Sequence, residues 1–198
     1  MKRPGTTRSL AGHERGSTVV EFALITPVFL GMICGFVDFA YWTYVKASAT
    51  GALERVARSA SVGGSSVNTG TLETPVQNLI KEIANTATFV WTKKSYYQFS
   101  GIGKPEKLTS DYNENGQYDL GDCWEDSNPG GNYDSAQGTT GVGGADDIVY
   151  YSVKVNFTPL IPLSGLFPFI PTTRSVTATT MVKRQPFAAQ ATPPIVCK

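Results

Sequence analysis

A carboxylate near the start of a long apolar run is the feature that most constrains this chain. From Ser17 to about Tyr41 almost every residue is apolar or small, and Glu21 sits inside this run. A stretch of about 20 apolar residues is enough to cross a bilayer as a helix. An acid within such a helix costs roughly 2.5–3.5 kcal/mol, so by default it marks a functional position. The sequence around it is Arg15-Gly-Ser-Thr-Val-Val-Glu-Phe22: a basic residue, a small-residue step at Gly16–Ser17, and the acid five positions after the glycine. The bland alternative is an acid that snorkels to the nearer interface.

Charge is unevenly placed. Residues 1–16 hold Lys2, Arg3, Arg8 and Arg15 against Glu14. Taking these from the totals of 17 bases and 16 acids leaves 13 against 15, a mildly acidic remainder. That remainder offers no basic face for nucleic acid. Basic residues flanking a membrane helix stay on the cytoplasmic side, so the rest of the chain is expected beyond the membrane. A discarded secretory signal would carry its small-residue cleavage site after the apolar core. Here the small-residue step precedes the core, so the helix is expected to stay attached.

A single helix is predicted from Ser17 to about residues 60–62, spanning the membrane over about residues 19–41. Pro27 interrupts it, a kink that membrane helices tolerate when a hydroxyl such as that of Thr26 satisfies the freed carbonyl. Phe36, Phe39, Tyr41, Trp42 and Tyr44 form an aromatic belt at the outer interface. Asp38 is expected to be hydrated there. Beyond the belt, Val45, Ala49, Ala52, Leu53, Val56 and Ala60 recur at helical spacing, so the helix becomes amphipathic. Gly63-Gly64 stops it. Its length would be about 65 Å, only half of it in the membrane.

Residues 63–198 read as an exported α+β domain. Thr74-Pro75-Val76-Gln77 signals a helix with Thr74 as cap and Pro75 in the first turn. Val76, Leu79, Ile80, Ile83 and Ala87 form its apolar stripe. Strand-like pieces follow at Phe89–Trp91 and Tyr96–Phe99. Residues 101–147 are rich in Gly, Asn and Asp and lack periodicity; a loop of that length is functional or disordered. Val149, Tyr151, Val153, Val155 and Phe157 alternate with polar neighbours, a half-buried strand, and Ser175–Lys183 forms another. The proline-broken apolar stretch from Leu160 to Ile170 is too short to span a bilayer. It reads as a buried loop, with a partner- or membrane-facing patch as the alternative. Residues 186–198 read as a tail.

One motif in the long loop points to a metal. Asp111-Tyr-Asn-Glu-Asn-Gly-Gln-Tyr-Asp-Leu-Gly-Asp122 fits a twelve-residue calcium loop. Asp111, Asn113 and Asn115 take positions 1, 3 and 5, with Gly116 at 6. Gln117 gives its backbone carbonyl at 7, and Asp119 and Asp122 stand at 9 and 12. Calcium needs several oxygen ligands and a sharp turn, and this pattern supplies both. Asp at position 12 is shorter than the usual Glu, and no paired helices flank the loop, so it is similar to a dockerin-type structural loop. Fifteen residues on, Asp126, Asn128, Asn132 and Asp134 repeat the pattern, with Gly130 at position 5 and Gln137 at position 12. Lacking an acid there, this second loop is expected to bind weakly or remain a solvated turn.

Of the three cysteines, Cys34 is an apolar packing residue of the membrane helix. Cys123 and Cys197 fall in the exported part, where an oxidising compartment favours a disulfide between them. Catalysis has little support. The one histidine, His13, lies in the basic leader, and the chain has no Gly-x-Ser-x-Gly, phosphate-binding loop or Cys-x-x-Cys. The chain is therefore expected not to be an enzyme.

Taken together, these residues resemble the TadE-like pseudopilins of the Tad (Flp) tight-adherence pilus, which are type IV pilin-like. The resemblance runs from Arg15 to Ser61: the Gly step, the Glu21-Phe22 pair, Pro27 six residues later, Val37-Asp-Phe39, and Ala52-Leu-Glu-Arg-Val-Ala-Arg-Ser-Ala60. Met181-Val-Lys-Arg-Gln-Pro-Phe187 is similar to the closing segment of that family, with Gln185 where an acid is common. The resemblance implies that a prepilin peptidase removes residues 1–16, cutting between Gly16 and Ser17. It also implies pairing of Glu21 with the new amino terminus, of a neighbouring subunit or of its own chain. The chain would sit in the bacterial inner membrane, N-terminus cytoplasmic, until an inner-membrane platform assembles it with other pilins and pseudopilins at the cell surface. A minor-pilin role at the tip or in initiation follows. The competing reading is an uncleaved, membrane-tethered calcium-binding adhesin outside any filament.

Overall fold

The computed structural model describes residues 17–62, 69–165 and 170–198. Helix α1 runs unbroken over Ser17–Val62. Gly63-Gly64 lies just outside the described residues. Pro27 sits inside α1, and the carbonyl it frees belongs to Ala23. The Thr26 hydroxyl does not serve that carbonyl; it donates 2.6 Å to the carbonyl of Phe22, the i−4 back-bond of a helical threonine. The first half of α1 buries no apolar side chain: Val19, Phe22, Leu24, Val28 and Phe36 are all exposed. Its second half buries Val45, Ala49, Ala52, Leu53, Ala57 and Ala60. Ala57 takes the place expected for Val56, which is only half-buried. Four small alanines on this face let the backbones of neighbouring elements approach closely.

Helix α2 spans Thr69–Ile83, beginning well before the capping signal at Thr74. Thr74 is therefore inside the helix, and Pro75 costs one internal hydrogen bond instead of opening the first turn. The buried stripe is Leu72, Val76 and Ile80, continued by Ala84 and Ala87, while Leu79 is exposed. Spacing of four from Leu72 to Ala84 gives a narrow face, enough to cover α1 on one side.

Strand β1 (Thr88–Tyr96) contains the first strand-like piece. The second departs from expectation: the chain bends at Tyr97 and Gln98, and Phe99 opens a 3-10 turn. Two long strands, β5 (Ile148–Phe157) and β6 (Arg174–Lys183), follow the predicted alternation. With the short β4 (Thr139–Thr140) they form an antiparallel sheet ordered β4-β1-β5-β6. Register places Val153 opposite both Trp91 and Ala178. Val149, Tyr151, Val153, Val155 and Phe157 turn inward with Val176 and Ala178, forming one core with α1 and α2. Tyr41 joins α1 to this core. Its ring meets Phe157 edge-on at 5.6 Å, and its hydroxyl donates 3.2 Å to the carbonyl of Ile83.

The long loop and the tail are ordered together. Strands β2 (Leu108–Ser110), β3 (Cys123–Glu125) and β7 (Ile195–Cys197) make a second antiparallel sheet, ordered β2-β3-β7. Three-residue strands carry too little alternation to be read from sequence. The tail is thus an edge strand, tied by a Cys123–Cys197 disulfide between directly paired residues. The architecture is α+β.

The Leu160–Ile170 stretch departs from the buried-loop reading. Among its described residues none is buried, and Leu160 is 61% exposed. Residues 166–169 lie outside the description.

Candidate functional site

The processing and assembly residues lie at the start of α1. Ser17 is the first residue of the helix, and Glu21 follows it by four positions, one turn along the same face. Glu21 is exposed on the flank of the helix. Gly16 and the rest of the basic leader are outside the described residues.

Where α1 meets the sheet, Asp38 differs from its expected hydrated state. It is 6% exposed and pairs with Arg174 at the first position of β6, Nη2 to Oδ2 at 3.1 Å. Its Oδ1 is buried and has no hydrogen-bond partner among the described residues. One turn on, Trp42 donates its indole N–H to the carbonyl of Ser175 at 3.2 Å. Two successive residues of β6 thus hold one face of the apolar helix. Sequence reading missed Asp38 as an anchor because its cation lies 136 residues away.

The Asp111 loop folds around its own side chains. Asp111 Oδ2 accepts the N–H of Gly116 at 2.7 Å, while Asp111 Oδ1 is buried with no partner among the described residues. Asn113 and Asn115 both donate side-chain amide N–H to Asp119 Oδ2, at 2.9 and 2.6 Å. Their oxygens accept the N–H of Asn115 and of Gln117. Gly116, at φ 74°, makes the sharp turn. Asp122 is fully buried and closes the loop: Oδ1 accepts from Tyr112 N at 2.8 Å and Oδ2 from Asp119 N at 2.7 Å.

The second loop repeats this construction. Asp126 Oδ2 accepts Gly131 N at 2.8 Å, and Gly131 turns at φ 66°. Asn128 donates to Asp134 Oδ2 at 2.8 Å. The acid expected to be missing is supplied from elsewhere in the chain. Glu106, 2% exposed, accepts Ser127 N at 2.8 Å and Asp134 N at 3.0 Å. Ser127 and Asp134 are positions 2 and 9 of the second loop, the same positions that Asp122 holds in the first. Gln137 instead donates its side-chain amide to the carbonyl of Pro105 at 2.6 Å. Asn132 Oδ1 accepts from Lys198 Nζ at 2.8 Å, so the tail reaches this loop as well.

The two loops meet through equivalent residues. Tyr118 and Tyr133, each at position 8, stack at 4.3 Å with planes 8° apart. Trp124 of β3, fully buried, stands edge-on to both rings. Burial and, secondarily, the charge of Glu106 raise the pKa of the Tyr133 phenol. The Asn113 and Asn115 amide donors lower the pKa of the Asp119 carboxyl.

Among the described residues, no three or more His, Cys, Asp or Glu side chains are gathered closely enough to hold a metal ion. The carboxylates of Asp122 and Glu106 face backbone N–H groups. The oxygen-rich set of the first loop is Asp111, Asn113, Asn115 and Asp119, with the Gln117 carbonyl.

The closing segment after β6 also has a structural role. Buried Arg184 donates to the carbonyls of Val142 and Gly143, and its guanidinium lies 5.0 Å from the Phe187 ring. Gln185 N donates to the carbonyl of Ser61, satisfying one of the open carbonyls at the end of α1.

With this geometry established, residues 16–58 match the family of TadE-like proteins. The anchor helix is TadE-like. That match covers the helix from the Gly16 step almost to the end of its amphipathic half. No curated protein and no solved structure matches the chain. The TadE-like segment associates the protein with the Tad pilus and with membrane anchoring through α1, the one described helix long and apolar enough to cross a bilayer.

Proposed function

We propose that the chain is a non-catalytic minor pilin or pseudopilin of a Tad-type pilus, acting at the tip or in initiation. The carrying observation is the TadE-like match that begins at Gly16 and includes Glu21 one helical turn after Ser17. In this reading a prepilin peptidase cuts between Gly16 and Ser17. Glu21 then pairs with the amino terminus of a neighbour, and an inner-membrane platform lifts the subunit into the filament. The sheet domain is exported and reaches the cell surface.

Intact-mass measurement from a host that has the peptidase should show loss of residues 1–16. The protein should co-purify with sheared pili. Gly16→Val should block cleavage, and Glu21→Ala should allow cleavage but abolish recovery with pili, membrane insertion surviving both. An intact Met1 terminus and absence from pili would turn the assignment to the tethered adhesin.

The same proposal gives the Asp111 loop a calcium ion. Support comes from Asp111 Oδ1, buried without a partner beside Asn113, Asn115 and Asp119. The second loop has its own closing acid, so its weakness as a site lies in Gly130, which offers no side-chain oxygen. Calcium binding only the folded form would stabilise it by about 2.7 kcal/mol at a hundredfold excess over Kd. Magnesium, which prefers octahedral geometry and keeps its waters, should do less. Calorimetry on the full chain in detergent tests this, with Asp111→Asn removing the calcium-dependent rise in Tm. No heat and no thermal shift at millimolar calcium would reduce the loop to a hydrogen-bonded turn.

A further inference from the structure

Among the described residues of the Leu160–Ile170 stretch, none is buried in the core. Leu163 and Ile170 line a groove of about 450 Å³ whose opposite wall is Gly35, Phe39 and Trp42 of α1, with Asp38 and Arg174 between. Gly35, Asp38, Phe39 and Trp42 share one helix face, at spacings of three and four. We propose that Leu163 and Ile170 form a second membrane contact: they meet the outer leaflet beside α1 and seat the exported domain on the bilayer surface. The proposal rests on the membrane-anchoring role of α1 but not on assembly into a pilus.

Depth decides the occupant. A span of about 20 residues starting near Val19 ends near Phe39. Gly35 then lies about 6 Å inside that boundary at 1.5 Å per residue. Residues sharing a groove with Gly35 and Phe39 are therefore at the level of the lipid boundary. The groove wall is continuous with the exposed apolar surface of α1 below it, where Met32 and Phe36 stand open. Any partner seated there would have to displace lipid.

The chemistry of the loop fits that level. No charged residue occurs between Lys154 and Arg174. Pro159, Pro162 and Pro171 have no N–H, which reduces the donors left without water near hydrocarbon. Arg174, part-exposed at the rim, can keep its guanidinium at headgroup height while its stem lies along apolar surface. Its pairing with Asp38 and the Trp42–Ser175 bond fix the end of the loop to the helix.

The experiment uses full-length protein, one copy per nanodisc, in a Cys34→Ser background. Nitroxide is placed by Leu163→Cys, with Met32→Cys as lipid reference and Glu114→Cys as water reference. Collision with oxygen is compared with collision with a nickel chelate. Leu163 should resemble Met32, favouring oxygen, and differ from Glu114. A Leu163 signal like that of Glu114, with Met32 still in lipid, would overturn the membrane contact alone. A lipid-like signal appearing only when several copies share a disc would replace it with an interface between copies. A water-like Met32 would remove the anchor reading together with this one.

Discussion

The anchor helix and the paired loops are held by opposite means. The second half of α1 buries a continuous apolar face against α2 and a four-stranded sheet. The paired loops have three short strands, three buried carboxylates (Glu106, Asp122 and Asp126) on backbone N–H groups, three packed aromatic rings and a disulfide. Apolar burial tolerates changes of side chain when volume and pattern are kept. A network of hydrogen-bonded carboxylates does not, because each lost partner leaves a buried donor unsatisfied. The TadE-like match stays on the helix and leaves the loops uncovered. The two regions should therefore respond to different perturbations.

The largest separation should come from the disulfide. Its cysteines are 74 residues apart in sequence, and on the chain-entropy model removing such a bridge costs about 4 kcal/mol. A Cys123→Ser, Cys197→Ser double variant should lose hydrogen-exchange protection at Trp124 and Val196 while Val153 and Val155 remain protected. Equal loss in both sheets would mean that the regions unfold as one.

Next in size are the closing acids. Asp122→Ala and Glu106→Ala each strand two backbone N–H groups, so each should cost about 3 kcal/mol. Near-equal losses of Tm are expected because the two acids hold equivalent positions. A Glu106→Ala variant as stable as the parent would break the equivalence of the loops. Arg174→Met should cost about 2 kcal/mol, less than a fully buried pair, since Arg174 is partly solvated. Its effect should fall on the seam between α1 and β6, read as increased proteolysis there with the loops unchanged.

How much of this was legible depended on the distance over which each residue finds its partner. The long apolar helix and the alternation of β5 are local patterns, and each was readable. The Asp111 motif was readable because its bonds close within twelve residues. Glu106 was not, since it meets Ser127 and Asp134 across the chain and carries no local pattern. Asp38 looked like an interfacial acid because Arg174 is far away in sequence. Thr74-Pro75 misplaced the start of α2 because a proline removes one N–H, which a helix can lose in an early turn when the rest of its face packs. The bridge from Cys197 to Cys123 was readable, but the edge strand that the tail adds to β3 was not, because three residues cannot show alternation.

The smallest expected effect separates the regions by pH. Asp119 is exposed, and its carboxyl is held below the usual value first by the Asn113 amide and then by that of Asn115. A folded-state pKa below the unfolded one, near 3.9, stabilises the fold above that value. The stabilisation fades as pH falls through the folded value, when the protonated carboxyl accepts the two amides less well. In a metal chelator, Asp119→Asn should match the parent in the steepness of its Tm loss below about pH 4 less a small acid-sensitive component. Val153→Ala, which removes apolar volume from the sheet core, should lower Tm by a similar amount at pH 4 and pH 7. The measurement is Tm against pH from 3 to 7 for the parent and both variants. If the acid limb of Asp119→Asn were as steep as that of the parent, the amide bonds to Asp119 would contribute nothing to folding. The loops would then owe their order to the disulfide, the aromatic stack and the buried acids.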